Sequence, residues 1–328
     1  MKFNHLQKAW RGIASAAVVF VAGAVGAQAA DPAKIRLDYA YYNPVSLVLK
    51  DQGWVEQEFA KSGIGVEWVL SQGSNKALEF LNARSIDFGS TAGAAALLAK
   101  INGNPVKSIY VYSRPEWTAL VTRADSQIKT VADLKGKRIA VTRGTDPHIF
   151  LIRALANAGL SERDVKAVLL QHPDGKTALE KGDVDAWAGL DPFMAQTELE
   201  SGSRLFFRNA DLNTYGVLNV REDFAKQNPQ LVQRLLQVYE QGRQYALKNP
   251  AELRATLAKA AKLDEKVAAR QRERTEFSNS RIGDVHRKAL TEAGKALQAS
   301  GVIAAEINVP ATVDALIDSQ FSNQLASQ

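Results

Sequence analysis

The chain has 328 residues, 46% hydrophobic and 23% charged, with 22 Gly and 10 Pro, which excludes collagen, coiled coil and wholesale disorder and leaves room for about two domains. The 41 Lys and Arg against 35 Asp and Glu give a net charge of +6 without any long basic run, so nothing in the charge calls for nucleic acid. There is no cysteine, and disulfides, thiolate metal sites, iron–sulfur clusters and a cysteine nucleophile are excluded together.

The N-terminus carries Lys2, Lys8 and Arg11, then an uncharged stretch over residues 12–29 that ends in Ala27-Gln28-Ala29, then Asp31-Pro32. A basic start, an apolar middle and small residues at a cleavage position make the pattern of a secretory signal peptide. The predominantly apolar part, residues 13–25 with Ser15 its one polar side chain, is shorter than the ~20 residues of a spanning helix; the alternative is an uncleaved anchor. Residues 1–29 are therefore expected to be a signal peptide cut after Ala29. A lipid tether would need a Cys at the new N-terminus, so the mature chain is expected to be free in a periplasm.

Beyond the leader, apolar runs of strand length alternate with segments of helical period, the signature of βα units and a parallel sheet. Strands are predicted over residues 34–39, 66–70, 86–88, 108–112, 138–141, 168–170 and 186–188, and helices near 44–51, 54–61, 75–83, 94–101, 147–158 and 176–181. Residues 113–126 interrupt the rhythm and read as a crossing between domains. A second crossing is read at 213–220, after which the chain is helical almost to its end. The expected fold is α/β with two lobes, residues 30–118 plus 220–328 and residues 123–213, each a mostly parallel sheet flanked by helices and joined by the two crossings. Apolar positions 231, 232, 235, 236, 238 and 239 give a helix face that should pack on a sheet. The basic stretch 262–274 has compensating acids and reads as a solvated face.

In open α/β sheets, ligands bind where parallel strands end and helices begin. Four loops have unusual chemistry there: Ser71-Gln72-Gly73-Ser74-Asn75, Gly89-Ser90-Thr91-Ala92-Gly93, Arg143-Gly144-Thr145-Asp146-Pro147-His148 and Leu190-Asp191-Pro192-Phe193. Glycine lets backbone approach a ligand, and the free N–H groups of a helix start favour an anion. Asp146 reads as an N-cap with Pro147 at the first helical position. Ser, Thr and Asp at such places can equally do no more than cap helices, and periodicity does not separate the two. Tyr42, Trp117 and Tyr215 lie in irregular segments and are candidates to wall a small-molecule pocket; Tyr39 and Trp187, within strands, read as core.

Catalysis finds little support. The mature chain has only His148, His172 and His286, with no HExxH, no G-x-S-x-G elbow and no phosphate loop, although a scattered triad would leave no linear motif. No catalytic residue, metal or cofactor is assigned.

Several segments together resemble the periplasmic solute-binding proteins of ABC importers in the aliphatic sulfonate, taurine and nitrate group. The strongest is IKTVADLKGKRIAV at 128–141; LEFLNARSIDFG at 78–89, the Gly144 to His148 loop followed by LIRAL, and GDVDAW at 182–187 running into Asp191-Pro192 support it. The resemblance implies a type II periplasmic binding fold and a small anionic ligand, an aliphatic sulfonate or related sulfur oxyanion, held between the lobes. It also implies delivery to a membrane permease with its ATPase, with the protein acting as a monomer. Nitrate, taurine, a thiamine-pyrimidine precursor or an exported enzyme on the same scaffold are the alternatives. Carried over by motif, Tyr42, Asn43, Gly73, Thr91, Ala92, Gly93, Thr145 and His148 would contact the ligand, beside Ser74, Gly144, Asp146, Asp191 and the walls Trp117 and Tyr215. The chain departs from similar sulfonate binders at Thr91-Ala92-Gly93-Ala94, where they carry an acidic or polar residue followed by Thr and Pro.

Overall fold

Strand β1 (Lys34–Tyr39) leads the structure, a computed structural model describing residues 32–325; the predicted leader lies outside the described residues. The chain continues through α1 (Pro44–Gln52) and α2 (Trp54–Ala60) to β2 (Gly65–Leu70), parallel to β1. It then passes α3 (Ser74–Asn82), β3 (Phe88–Ala92), which lies parallel to β1 on its other side, α4 (Gly93–Ile101) and β4 (Val106–Pro115). A second sheet takes over with β5 (Thr118–Thr122), β6 (Arg138–Val141), β7 (Lys166–Leu169), β8 (Ala186–Leu190) and β9 (Arg204–Phe207), interleaved with α5 (Asp146–Asn157), α6 (His172–Lys181) and α7 (Phe193–Glu200). The chain returns as β10 (Gly216–Arg221) and runs through α8 (Glu222–Gln227), α9 (Pro229–Lys248), α10 (Pro250–Ala261), α11 (Glu265–Glu273), the short β11 (Thr275–Glu276), α12 (Asp284–Ala299), α13 (Val309–Leu316) and α14 (Gln320–Asn323).

The strand orders are β11-β4-β10-β3-β1-β2 and β7-β6-β8-β5-β9. Parallel pairing holds for β2-β1-β3 and for β7-β6-β8, while β10, β4 and β11 in the first sheet and β5 and β9 in the second are antiparallel. Both sheets are therefore mixed. Every residue of β3, β5 and β8 is buried, as strands covered on both faces must be. Asn43 starts α1 by accepting the Ser46 amide at 3.3 Å, Pro44 occupies the first turn, and Gly53 closes the helix at φ 64, the left-handed region where glycine costs least. Along α9, Leu231, Val232, Leu235, Leu236, Val238 and Tyr239 are all buried, the face the periodicity predicts.

Three sequence expectations are corrected. Residues 89–92, read as a loop after a strand ending at 88, are the strand β3 itself. Its small residues admit close packing: an added Cβ at Gly89 would lie 2.9 Å from Leu81 Cδ1 on α3. Residues 213–220, read as a crossing, contain most of β10, and the passage between sheets runs over 208–215. The basic stretch 262–274 is not wholly solvated, because Gln271 and Arg274 are buried. Among the described residues no helix is long and apolar enough to cross a membrane.

Candidate functional site

The parallel strands β1 and β2 end on one side of the molecule and run into α1 and α3; β6, β7 and β8 end facing them and run into α5, α6 and α7. At this seam three helix starts meet. An added Cβ at Gly73, before α3, would lie 3.0 Å from His172 Nε2 at the start of α6, and one at Gly144, before α5, would lie 3.9 Å from Asn75 Cβ. The ladder begins in the ordinary way at the third and fourth helical residues: Lys76 and Ala77 amides both bond to Gly73 O, and His148 and Ile149 amides to Thr145 O. The amides before them, at Ser74, Asn75 and Asp146, precede that ladder and form the electropositive end of the helix.

Two cavities open along the seam. A small one of about 80 Å³ is lined by Tyr41, Tyr42, Leu70, Ser71 and Gln72 from the first sheet's side and by Pro173, Leu190, Asp191, Pro192 and Phe193 from the second's. A larger one of about 580 Å³ takes in Asn75, Gly144 and His148. Gly73, Ser74 and Thr145 stand at the contact of the helix starts, where Ser74 Oγ accepts the Ala92 amide at 3.0 Å and Thr145 Oγ1 donates to Thr142 O at 2.6 Å.

Tyr42, which lines the small cavity, belongs to a buried polar network around Ser90. Asp38 accepts from the Ser90 amide at 2.8 Å and from its hydroxyl at 2.9 Å, and burial pushes its carboxyl up to about 7. Tyr42 donates to Ser90 O at 3.0 Å, and Asn43 donates to Ser90 Oγ at 2.7 Å. Tyr42 thus presents its ring to the cavity, whereas Asn43 is fully enclosed as the cap of α1.

Other expected site residues serve the fold. The Thr91 hydroxyl accepts from Asn219 Nδ2 at 2.8 Å and donates to Ala92 O, and the start of α4 is closed by Gly93 N to Tyr215 O at 2.9 Å and Ala94 N to Thr214 Oγ1 at 3.2 Å. Thr91, Ala92 and Gly93 therefore lie in the interior, and α4 offers the seam no free end. Tyr215 packs edge-on against His286 with centroids 4.3 Å apart, away from both cavities.

Asp146 is not the N-cap. Thr145 holds that position, and the Asp146 carboxylate turns away from its own helix to accept from Trp117 Nε1 at 2.8 Å, Thr214 N at 3.0 Å and Thr214 Oγ1 at 2.8 Å. It ties α5 to both passages between the sheets, and burial raises its pKa. Trp117 stands behind Tyr42, the rings 6.0 Å apart, and is not a cavity wall. His148 Nε2 lies 2.9 Å from Glu162 Oε1, and this hydrogen bond lowers the Glu162 pKa.

Asp191 does line the small cavity, but its carboxylate is already engaged. Oδ1 accepts the Ala195 amide at 2.9 Å, and an Arg274 nitrogen lies 3.3 and 3.4 Å from the two oxygens. Burial pushes the acid up to about 6 against the pull of Arg274. The second Arg274 terminal nitrogen bonds Glu198, and Gln271 donates to Tyr41 O at 2.8 Å. Neither residue stands out in the sequence, because charge composition does not show which member of a basic stretch turns inward.

In the sequence His172 reads only as a possible catalytic group. Thr142 Oγ1 gives its one proton to Leu170 O at 2.7 Å and lies 3.2 Å from His172 Nδ1, so Nδ1 carries the imidazole hydrogen and Nε2 is left as an acceptor. Nε2 is buried beside Gly73 with no hydrogen-bond partner among the described residues, and burial pushes the imidazole down to about 3. Among the described residues no cluster of His, Asp or Glu is fit to hold a metal, and no Lys or Arg lines the small cavity. The donors left at the seam are backbone amides at the helix starts and the Ser74 hydroxyl, whose oxygen accepts the Ala92 amide.

Two mixed sheets with strand ends and helix starts converging on a seam define an α/β protein of the periplasmic-binding type. The NMT1/THI5-like family matches residues 46–253, and the chain belongs to that family. It is 30% identical to a protein of Escherichia coli (strain K12) assigned as an aliphatic sulfonates-binding protein, over 81% of this chain and 82% of that one. A Bacillus subtilis (strain 168) protein with the same assignment is 29% identical over 91% and 92%. Among solved structures, the alkanesulfonate-binding protein SsuA from Xanthomonas axonopodis pv. citri, bound to MOPS, superimposes with a TM-score of 0.79 at 27% identity, covering 87% of this chain and 99% of that one.

Proposed function

We propose that this chain captures an aliphatic sulfonate in the periplasm, between two lobes built on the two sheets, and hands it to an ABC permease and its ATPase without chemically changing it. The observation that carries this reading is the meeting of the α3, α5 and α6 starts at one seam, beside a cavity with no lysine or arginine in its wall, in a chain whose near relatives are named for binding sulfonates. A sulfonate keeps its charge at any physiological pH and presents three acceptor oxygens, which suits several N–H donors better than one ion pair. Each helix start is worth about 0.3–1 kcal/mol to an anion when exposed and about 2 when partly buried, and apolar burial adds about 0.8 kcal/mol per CH₂. Together these bring micromolar affinity, about 8 kcal/mol, within reach.

Gly73, Ser74, Gly144 and Thr145 are the residues we assign to the anion, with Tyr42 as a wall. The leader at 1–29 would deliver the chain to the periplasm. A thermal-shift panel of alkanesulfonates, taurine, sulfate esters, nitrate and pyrimidine precursors tests the reading. A rise in melting midpoint with alkanesulfonates, and no product by mass spectrometry, is expected; a rise only with another class, or none, rejects it.

A further inference from the structure

The larger cavity is a groove over α3 and α4, floored by Leu78, Leu98 and Ile101 and walled by Val302, Ile303 and Ile307 from the segment between α12 and α13. Leu98 and Ile101 are half-buried and Val302 is 36% exposed, so apolar surface is left open to water. The volume, about 580 Å³, lies in the range of small-molecule sites, roughly 300–1,000 Å³. Its chemistry changes from one end to the other. At the seam end stand Asn75, Gly144, His148 and the exposed Arg143. The acid that feels Arg143 is Glu162, which is itself hydrogen-bonded by His148. A cation at one end and aliphatic side chains along the rest complement a molecule with a negative head and a hydrocarbon tail.

We infer that this groove is the tail subsite of the ligand, taking the alkyl chain of a medium-length or long alkanesulfonate whose head lies at the α3 and α5 starts, with Arg143 facing the head from the solvent side. The inference rests on the sulfonate reading above and adds chain length to it. The small cavity of about 80 Å³ has no space for such a chain; the groove does, and it reaches the seam at Asn75 and Gly144, where a Cβ added to Gly144 would lie 3.9 Å from Asn75 Cβ.

Calorimetric titration of the mature chain with the unbranched series from methanesulfonate to decanesulfonate tests this. Affinity is expected to rise by up to about fourfold per added CH₂, the equivalent of about 0.8 kcal/mol, until the groove is filled. Leu98→Asp is expected to flatten that rise while methanesulfonate binds as before, and Val302→Asp, at an exposed site that leaves the core intact, is expected to do the same in weaker form. Arg143→Gln is expected to weaken all members by a similar factor. Affinity independent of chain length in the unaltered protein, or a loss in both Asp variants as large for methanesulfonate as for decanesulfonate, overturns the tail subsite and leaves sulfonate capture standing. Failure of every sulfonate to bind overturns both.

Discussion

Arg274 reaches from the segment after α11 to both carboxylate oxygens of Asp191, at 3.3 and 3.4 Å, at the end of β8 in the other sheet. Both side chains are almost fully buried, and the same guanidinium also holds Glu198 on α7. The C-terminal helices are thereby pinned to the second sheet beside the small cavity.

Arg274→Gln therefore strands a buried carboxylate, a loss of about 3–5 kcal/mol where a buried pair is broken. Urea denaturation is expected to show a loss of that order, and the double variant Arg274→Met with Asp191→Asn less than the sum of its parts. A single variant as stable as the parent would show that the bridge contributes nothing.

The Asp146 carboxylate collects three donors from the two passages between sheets, Trp117 Nε1, Thr214 N and Thr214 Oγ1. Asp146→Ala leaves these buried donors unpaired, at about 1–3 kcal/mol for each unsatisfied group, whereas Trp117→Phe removes one donor and leaves the carboxylate two. Thermal melts should rank the unaltered chain above Trp117→Phe and Trp117→Phe above Asp146→Ala. Equal midpoints for the two variants would mean that ring packing, not the carboxylate, holds the passages.

Much of this arrangement is legible in the sequence. The βα rhythm, the apolar face of α9 and the placement of Gly73 and Gly144 at facing helix starts follow from periodicity and from glycine before a helix. What is illegible depends on neighbours. Gly89, Ser90 and Thr91 have the composition of a turn, yet they form a central strand because Leu81 presses on Gly89 and Asn219 satisfies Thr91. An Asp-Pro helix start reads as a cap, and only the fold brings Trp117 and Thr214 to Asp146. Arg274 sits among compensating acids in the chain, but the acids it meets, Asp191 and Glu198, lie far from it in sequence.

Buried titratable groups set opposing pH dependences. Asp38 is pushed up to about 7 by burial, so the folded chain holds its proton more tightly than the unfolded one. Its contribution to stability is full below the ordinary carboxylate range, about 4, and is lost as pH rises to about 7. His172, pushed down to about 3, acts the other way: its contribution is full above about 6.5 and is lost as pH falls toward 3. Asp38→Asn is expected to stabilise the chain at pH 8, by about 1.4 kcal/mol for each unit of displacement removed, and to leave the melting midpoint nearly unchanged at pH 4. His172→Asn should flatten the acid limb below pH 6. Melting curves at pH 4, 6 and 8 that stay parallel to those of the parent would contradict both assignments.

Gly73 bears directly on the seam. An added Cβ would lie 2.8 Å from Asn75 Oδ1 and 3.0 Å from His172 Nε2, so Gly73→Ala forces the α3 and α6 starts apart. Crowding of this kind costs about 1–3 kcal/mol, which corresponds to a loss of sulfonate affinity of about five- to 150-fold if the anion is held where these starts meet. The residue is extended, at φ 176, a conformation alanine adopts without strain, so the effect reads steric approach and not backbone freedom. Calorimetry on Gly73→Ala and on Gly63→Ala, where no atom lies within 4 Å of the added Cβ but the backbone sits at φ 70, separates the two. Position 63 should lose stability and keep affinity, and position 73 should lose affinity. Undiminished binding in Gly73→Ala would place the anion somewhere other than this junction.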